Sequence, residues 1–331
     1  MQELYPLKFK PIYKEKIWGD QRLKSVLNKD IPADKKIGES WEISAVQDNI
    51  SVVSNGFLAG NNLQELLEVY MADLVGEKNY EKYGIEFPLL IKFIDADDVL
   101  SIQVHPDDEL AKKRHNAYGK TEMWYIIEAE DNGELISGFN REITKAEYLE
   151  NLKNNTLPDI LNKEKVKTGD VFFLPSGRIH AIGAGILLAE IQQTSDVTYR
   201  IFDWNRKDQD GKPRELHTEL AIDAIDYNYY DSYRTEYELK KNKTSNIVKC
   251  DYFTTNILQL DKITEKELIK LDSFLIYMCM DGKAEIEYHE GEMETIEKGE
   301  TILIPASIDH LKIKPQPDCK LLEVYIQEEN K

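Results

Sequence analysis

Two polar side chains on one predicted strand, followed by a carboxylate, have the types and spacing of a metal site. Residues 99–105 have the composition of a strand, and Gln103 and His105 are two apart, so their side chains share one face. A second extended run begins at Glu122. Between them, residues 105–115 (HPDDELAKKRH) predict a short helix inserted at the tip of a hairpin. An imidazole nitrogen and a carboxylate brought together in this way are ligands that divalent ions favour.

Another histidine comes from a pattern that occurs twice. Residues 169–180 (GDVFFLPSGRIH) and 299–310 (GETILIPASIDH) both read Gly-acid-x4-Pro-x4-His. Each copy begins with a glycine turn, continues as an apolar strand, breaks at Pro and delivers a histidine, His180 or His310, at the start of the next strand. Two copies predict two similar β-barrels in tandem.

The elements that must position these residues are mostly strands. Short runs rich in Ile, Val, Phe and Tyr, separated by Gly, Asp, Asn and Pro, are typical of a β-sandwich or barrel. Helical periodicity appears in three inserts, residues 62–76, 144–155 and 214–226. Residues 233–246 are rich in charge and have no apolar stripe, which predicts a linker. We therefore expect a domain boundary near residue 235.

Composition and charge exclude several functional classes. The 331 residues are 41% apolar, and 42 basic against 61 acidic side chains give a net charge of −19, which disfavours nucleic acid and anionic membranes but permits a local positive pocket. No apolar run is long enough to span a membrane, and the charged N-terminal stretch lacks the apolar segment of a signal peptide. Cys250, Cys279 and Cys319 are scattered, as in a reducing cytosol. We expect a soluble, cytoplasmic protein, and its oligomeric state stays open.

The motifs resemble those of a known family. Residues 169–180 fit the second cupin motif, G-x5-P-x-G-x2-H, although Ala184 replaces the usual downstream Asn. The first cupin motif normally has H-x-H with a glutamate soon after. Here it reads Gln103-x-His105, and the glutamate is displaced to Glu122. This variant resembles the short bacterial form of the type I, metal-dependent mannose-6-phosphate isomerases.

Further segments similar to that family follow in order over residues 18–226, among them WGD, GESWEIS, GKTEMWYII, GRIHAIG and TYRIFDWNR. The resemblance implies a mainly β fold, two tandem cupin (jelly-roll) barrels with helical insertions. Residues 1–235 would form the catalytic cupin domain and residues 236–331 a degenerate cupin domain.

The resemblance also implies a set of site residues. His105, Glu122 and His180 would bind one divalent ion, most simply Zn²⁺, with Gln103 as a possible fourth ligand through its amide oxygen. Taken singly, each histidine would be better interpreted as a hydrogen-bonded core residue, and only the set at cupin positions favours a metal site. The second barrel has no matching first motif, so His310 is expected to bind no metal.

Basic residues of the pocket are implied as well. Arg200 would be an active-site arginine for sugar oxyanions or phosphate, the alternative being a buried arginine paired with Asp196 or Asp203. Lys92 and Lys120 would bind substrate, the alternative being ordinary surface residues. We expect Lys120 near the site, but on the opposite face of the strand unless the strand starts irregularly.

A phosphorylated sugar is then the expected substrate, and the implied reaction interconverts mannose 6-phosphate and fructose 6-phosphate. An aldose–ketose shift moves a proton between C2 and C1 while negative charge builds on a carbonyl oxygen. Lys120, Glu190 and a metal-bound water are candidate bases. Within GESWEIS, Trp41 beside Glu42 has the character of a sugar pocket. A cupin dioxygenase with ferrous iron and a non-catalytic sugar-binding cupin are the alternatives.

Overall fold

Strands dominate the computed structural model, which describes residues 3–207, 211–289 and 291–327. The strands of the N-terminal part are β1 Ile12–Asp20, β2 Ile37–Ile43, β3 Leu89–Ala96, β4 Ile102–Val104, β5 Glu122–Ala129, β6 Glu134–Phe139, β7 Leu161–Lys165, β8 Val171–Leu174, β9 His180–Ala181, β10 Ile186–Gln193 and β11 Tyr199–Phe202. Those of the C-terminal part are β12 Thr244–Lys249, β13 Thr254–Leu260, β14 Thr264–Glu267, β15 Leu275–Tyr288, β16 Glu292–Glu297, β17 Thr301–Ile304 and β18 His310–Tyr325.

The α-helices connect the strands of the N-terminal part. They are α1 Arg22–Ser25, α2 Leu63–Val75, α3 Glu77–Tyr83, α4 Asp108–His115, α5 Lys145–Lys153 and α6 Thr218–Ala221, with one 3₁₀-helix, Leu157–Ile160. None of the helices in the described ranges is both long enough and apolar enough to cross a bilayer.

Two antiparallel sheets of the N-terminal part enclose a common interior. One has six strands in the order β1-β2-β3-β10-β5-β8, and the other has five in the order β11-β4-β9-β6-β7. On the central strands of the first sheet the inward-facing residues change character along the strand. Towards one end they are apolar, as Ile94, Ile126 and Leu188 are, and belong to one buried cluster. Towards the other end they are polar, so the interior has an apolar floor and a polar mouth.

The predicted hairpin around residues 105–115 is wrong. α4 forms where expected, with the Asp107 side chain accepting a hydrogen bond from the Leu110 amide at its start. However, β4 pairs with β9 and β11 in the five-stranded sheet, whereas β5 pairs with β8 and β10 in the six-stranded sheet. α4 therefore crosses from one sheet to the other. This crossing carries Gln103 and Glu122 onto opposing walls of the same interior.

The C-terminal part repeats the local pattern of the N-terminal part. Its strands form a seven-stranded sheet in which β14 and β17 pair with β18 and β15. Gly169 and Gly299 have φ of +91° and +85°, each precedes a short strand, and His180 and His310 each begin the next one. The mainly β, tandem cupin-like fold is thus confirmed. Within the described residues, however, the strand ladders form open sheets rather than closed barrels.

Two of the three predicted helical inserts are helices over nearly their full length. Residues 62–76 contain α2, which a capping box of Asn62 and Glu65 begins, and residues 144–155 contain α5. The third prediction is largely wrong, because residues 214–226 contain only the one-turn helix α6. There the backbone amide of His217 donates to the carbonyl of Arg200 instead. This hydrogen bond to a distant part of the chain takes the place of the longer helix that the sequence periodicity predicts.

Candidate metal centre and substrate cavity

Strand register aligns the candidate residues in a row on the five-stranded sheet. Gln103 lies opposite His180 on one side and Arg200 on the other. The three side chains therefore come from three neighbouring strands at one level of the interior, although 97 residues separate the first from the last along the chain.

A second row lies on the six-stranded sheet. Glu190 is opposite Lys92 and Trp124, and Trp41 is opposite Lys92. Glu122 is two residues before Trp124 on β5 and shares its face. The two rows line the polar mouth of the interior, so both strand walls contribute to one site.

His105, Glu122 and His180 form a compact cluster at the centre of this mouth. The His105 Nε2 atom is 3.4 Å from Glu122 Oε2, and the His180 Nε2 atom is 3.3 Å from Glu122 Oε1. All three side chains are about 1% exposed, and one donor atom of each lies within 4.8 Å of the others. Such a set of two imidazoles and one carboxylate can hold a divalent ion.

The outer nitrogen of each imidazole is held by a backbone carbonyl. His105 Nδ1 lies 3.0 Å from the Val197 oxygen, and His180 Nδ1 lies 2.8 Å from the Arg178 oxygen. A carbonyl only accepts, so each Nδ1 carries the proton and each Nε2 presents a lone pair to Glu122. His180 Nε2 and Glu122 Oε1 are both buried without a hydrogen-bond donor. A divalent ion beside these two atoms would give both of them a partner, so these residues fit a metal ion.

Lys120 points into the same cluster. Its Nζ donates to Glu122 Oε2 over 2.7 Å and lies 2.9 Å from His105 Nε2. The expected opposite face is wrong, since residues two apart share a strand face. The Lys120 ammonium adds positive charge beside the carboxylate.

The pKa values of the cluster reflect this charge. Burial alone would raise the pKa of Glu122, but the neighbouring Lys120 ammonium holds it well below its ordinary value. Burial also lowers the pKa of His180. Burial, reinforced by Lys120, lowers the pKa of His105 to about 3. The cluster is thus a carboxylate with two neutral imidazoles, the protonation state in which these groups bind metals.

A cavity of about 400 Å³ opens beside the cluster. Of the candidate residues, Lys92, Gln103, Lys120, Glu190 and Arg200 line it. The cationic residues of its wall are Lys14, Lys16, Lys92, Lys120, Arg200 and Arg214, and the acidic ones are Glu39, Glu190 and Asp196. In a chain of net charge −19, this excess of cations is a local positive pocket, which suits a phosphorylated ligand.

Several of these residues were missed in the sequence. Lys14, Lys16, Glu39 and Arg214 line the cavity although none of them was predicted to be a site residue. Trp41 does line it, whereas its neighbour Glu42 points away and pairs with Lys29 over 2.6 Å. The acid beside the indole is Glu39, whose Oε2 accepts from Trp41 Nε1 over 2.6 Å. The i, i+2 spacing of Glu39 and Trp41 on a strand was the available signal.

Glu190 and Lys92 form a buried ion pair in the cavity wall. Lys92 Nζ lies 2.9 Å from Glu190 Oε1, and Trp124 Nε1 donates to Glu190 Oε2 over 2.8 Å. Burial would lower the pKa of Lys92, but Glu190 and Glu39 raise it above its ordinary value. Both oxygens of Glu190 are therefore already engaged by fixed donors.

Arg200 reaches the cavity with part of its guanidinium free. Its Nη1 donates to the Glu215 carbonyl over 2.9 Å, while its Nε is buried without a partner. Among the described residues no carboxylate lies within salt-bridge distance of it, because Asp203 pairs with Arg206 and Arg214 instead. Burial, together with the nearby Arg214, lowers the pKa of Arg200. The arrangement suits an anion that would supply the missing negative charge.

The remaining histidines lie outside the cluster. His310 is exposed and has Glu267 Oε1 at 3.8 Å, and within the described residues no metal-type cluster includes it. His115 Nε2 lies 2.8 Å from the Tyr199 hydroxyl, and His289 Nε2 lies 2.9 Å from the Leu4 carbonyl. His217 Nδ1 accepts from the Arg200 amide over 3.2 Å, so it supports β11.

Together, two facing sheets, the repeated glycine-to-histidine pattern and a buried His–Glu–His cluster define a metal-site protein of the cupin class. Two family models match the chain: "Phosphomannose isomerase type I, catalytic domain" over residues 6–156, and "Mannose-6-phosphate isomerase, cupin domain" over residues 243–326.

Similar proteins agree with this class. Mannose-6-phosphate isomerase ManA of Bacillus subtilis is 37% identical over 95% of this chain and 97% of its own length. Mannose-6-phosphate isomerase of Streptococcus mutans is 35% identical over 89% of this chain and 90% of its own. The crystal structure of the Bacillus subtilis enzyme superposes with a TM-score of 0.88 at 33% identity, covering 98% and 100% of the two chains. The chain belongs to the type I phosphomannose isomerase family.

Proposed function

We propose that this protein interconverts mannose 6-phosphate and fructose 6-phosphate. Membership of the isomerase family supports this reaction. The observation that carries it is the buried His105–Glu122–His180 cluster beside a cavity whose cations outnumber its carboxylates. Such a site offers a metal for sugar oxygens and cations for a phosphate.

The ion that we propose is Zn²⁺, one per chain, held by His105, Glu122 and His180. Gln103, which faces the same cavity in register with His180, would offer its amide oxygen as a fourth ligand. When bound, the ion supplies Lewis acidity that polarises an oxygen of the substrate. The carbonyls of Val197 and Arg178 keep the two imidazoles turned so that their lone pairs meet there.

Arg200, Lys92 and Lys120 are proposed to bind the phosphosugar. Arg200 presents a guanidinium without a carboxylate partner, and a planar fork of donors can stabilise charge that develops on a sugar oxygen. Lys92 contributes from the opposite wall, where Glu190 fixes its position.

For the proton transfer between C1 and C2 we propose Lys120 as the first candidate and Glu190 as the second. Lys120 Nζ lies beside the metal ligands, where the reacting carbons would be held. Glu190 faces the same cavity, but Lys92 and Trp124 already occupy both of its oxygens. A general base must reach the proton it removes, and of these two residues Lys120 is the one that contacts the proposed metal ligands.

We further propose the division of the chain at residue 235, into a catalytic cupin domain and a degenerate one, and a cytoplasmic location. The sheets of the N-terminal part end at Phe202 and the C-terminal sheet begins at Thr244, which supports the boundary. All three cysteines are unpaired, and phosphorylated sugars are intracellular metabolites, which supports the location.

The repeated motif offers a matched pair of variants as the test. His180→Ala should lose both the ion and the isomerase activity, whereas His310→Ala, the same change at the equivalent position, should keep both. Fructose 6-phosphate formation would be measured by a coupled assay with and without chelator, and metal content by mass spectrometry. Wild type should carry about one ion per chain and lose activity to the chelator.

Three results would contradict the proposal. A wild-type level of bound metal and turnover in His180→Ala would refute the ligand assignment. Substrate-dependent oxygen consumption by the iron-loaded protein, without isomerisation, would favour the dioxygenase, and tight binding of mannose 6-phosphate without turnover would favour a sugar-binding protein.

A further inference from the structure

The loop that carries Lys120 is tied down at three consecutive backbone amides. The Gly119 amide donates to Asp108 Oδ1 over 2.8 Å, the Lys120 amide to the Pro106 carbonyl over 3.2 Å, and the Thr121 amide to Gln193 Oε1 over 2.8 Å. Gly119, Lys120 and Thr121 are all buried. Because all three buried amides are hydrogen-bonded to residues outside this segment, its surroundings fix the position of the backbone.

Asp108 is the centre of this arrangement. Its Oδ1 accepts from the Gly119 amide and from Gln193 Nε2, the latter over 2.9 Å. The backbone amide of Gln193 in turn donates to the Thr121 carbonyl over 3.2 Å. One carboxylate oxygen therefore links the start of α4 to both ends of the loop. The approach is close, because a Cβ on Gly119 would lie 2.7 Å from the Asp108 nitrogen.

The second oxygen of Asp108 is held by the C-terminal part of the molecule. Tyr252, in the turn between β12 and β13, donates its hydroxyl to Asp108 Oδ2 over 2.8 Å. Burial and this hydrogen bond raise the pKa of Tyr252, so the phenol keeps its proton and remains a donor. A carboxylate held at both oxygens has a fixed orientation, and charge-assisted hydrogen bonds are the stronger ones.

We infer that Tyr252 is a positioning residue, by which the C-terminal part holds Lys120 in register with the metal ligands through Asp108. The chain of contacts runs from the Tyr252 hydroxyl to Asp108, then to the Gly119 amide and Gln193, and so to the backbone on either side of Lys120. The C-terminal part, which contributes no ligand to the proposed ion, thereby acts on the site. The inference rests on the proposed role of Lys120 in the isomerase.

Removing the Tyr252 hydroxyl should lower kcat more than it changes KM. Tyr252→Phe should reduce kcat about fivefold, the effect of losing one hydrogen bond to a carboxylate, with KM altered less than about twofold. Tyr237→Phe is the matched control, because Tyr237 donates to the Gly169 carbonyl over 2.7 Å, away from Lys120. Both variants lose one tyrosine hydroxyl bond, so a merely structural role would lower their unfolding midpoints alike and leave both kcat values near wild type.

A double-mutant cycle tests the route through Asp108. Asp108→Ala should lower kcat further than Tyr252→Phe, and adding Tyr252→Phe to it should cause no additional loss. Losses that simply multiply would show that Tyr252 acts by another path and would overturn the inference. So would a Tyr252→Phe enzyme with the kcat of the Tyr237→Phe control.

Amide hydrogen exchange separates this inference from the proposed reaction. In the protein without substrate, the amides of residues 119–121 should exchange about fivefold faster in Tyr252→Phe than in wild type, and at the wild-type rate in Tyr237→Phe. This measurement needs no turnover. A wild type without isomerase activity would refute the proposed function while the exchange rates still decide the positioning role, and unchanged rates in Tyr252→Phe would refute that role alone.

Discussion

At the scale of single residues, the site depends on which atom of each side chain is already satisfied. In both His105 and His180 the Nδ1 atom is hydrogen-bonded to a backbone carbonyl, so the Nε2 atom faces the cluster. Glu190 has both oxygens engaged, whereas Arg200 keeps an unpartnered Nε. The hydrogen-bond partners of each side chain therefore show which of its atoms remain available to a ligand.

Arg200→Lys should be severely impaired although it keeps the positive charge. Lysine is a point donor and cannot reproduce a planar fork directed at two oxygens, so we expect kcat to fall about 10²-fold. The control is Arg234→Lys, which replaces an arginine that pairs with Glu164 and Asp170. Steady-state kinetics on mannose 6-phosphate measures both.

Whether the Arg200→Lys change affects kcat or KM identifies the role of Arg200. A fall in kcat indicates action on charge that develops in the transition state, whereas a rise in KM at nearly constant kcat would indicate that Arg200 grips the phosphate throughout. A near wild-type Arg200→Lys enzyme would reduce Arg200 to a structural arginine.

Glu39 should make the stability of the protein depend on acid pH. Burial opposes its ionisation, but Lys92 and Lys16 outweigh burial and lower its pKa from 4.5 to about 2. Its contribution to stability is therefore present above the unfolded pKa and is lost as pH falls through the folded one. The shift corresponds to about 3 kcal/mol.

The test compares wild type with Glu39→Gln in urea unfolding at several pH values. The difference in unfolding free energy should be largest above pH 4.5 and should shrink towards pH 2. Glu81→Gln, at an exposed position, is the control and should show no such difference. A gap between wild type and Glu39→Gln that stays constant from pH 5 to about pH 2 would contradict the assignment.

At the scale of elements, the two copies of the repeated motif place their histidines in different environments. The strand, Pro break and histidine recur in both parts, but His180 faces the interior whereas His310 is exposed. The first copy has β4 and β9 in register, so Gln103 meets His180. In the second copy His310 instead lies opposite Glu267 on an edge pair of β14 and β18. Local conformation alone does not make the ligand site.

The two glycines that begin the motif should differ in their tolerance of a side chain. Both have positive φ, which costs an alanine about 1 kcal/mol. A Cβ on Gly169 would meet only the Tyr237 hydroxyl, at 3.5 Å, whereas one on Gly299 would lie 2.1 Å from the Leu27 carbonyl oxygen. Urea unfolding should therefore show Gly299→Ala to be the more destabilised variant by a clear margin. Equal losses would mean that the backbone near Leu27 moves aside freely.

At the scale of the whole molecule, the surface charge and the site charge have opposite signs. The chain carries −19 overall, yet most of the charged residues that line the cavity beside the His105–Glu122–His180 cluster are cations. A phosphorylated sugar is repelled at long range and attracted at short range. Salt screens the long-range part first, because buried and closely spaced charges are screened less.

Raising ionic strength should consequently leave kcat/KM of the wild type unchanged or slightly higher. The distant acidic surface is screened within about 10 Å at 0.1 M salt, while the cavity contacts are not. Initial rates at low substrate over a series of sodium chloride concentrations measure this. A steep fall with salt would show that long-range attraction, rather than the local pocket, brings the substrate in.

The order of residues was sufficient for the fold class, for the two helical inserts 62–76 and 144–155, and for the expectation that His105, Glu122 and His180 lie together. Strand periodicity and the spacing of a motif are local properties, so they can be recognised in the sequence alone. Register and sheet membership are not local. Whether α4 closes a hairpin or crosses between sheets depends on which strands β4 and β5 pair with, and those partners are β9, β11, β8 and β10.

Only the tertiary structure brought Lys14, Lys16, Glu39 and Arg214 into the cavity and Tyr252 onto Asp108. Apart from Glu39, whose spacing from Trp41 was a signal, nothing in the immediate sequence of these residues distinguishes them from a solvated charge or a surface tyrosine. Burying a polar group is unfavourable unless it has a hydrogen-bond or ion-pair partner. For these residues the partner comes from another strand or from the other part of the molecule. Such pairings exist only once the sheets have formed.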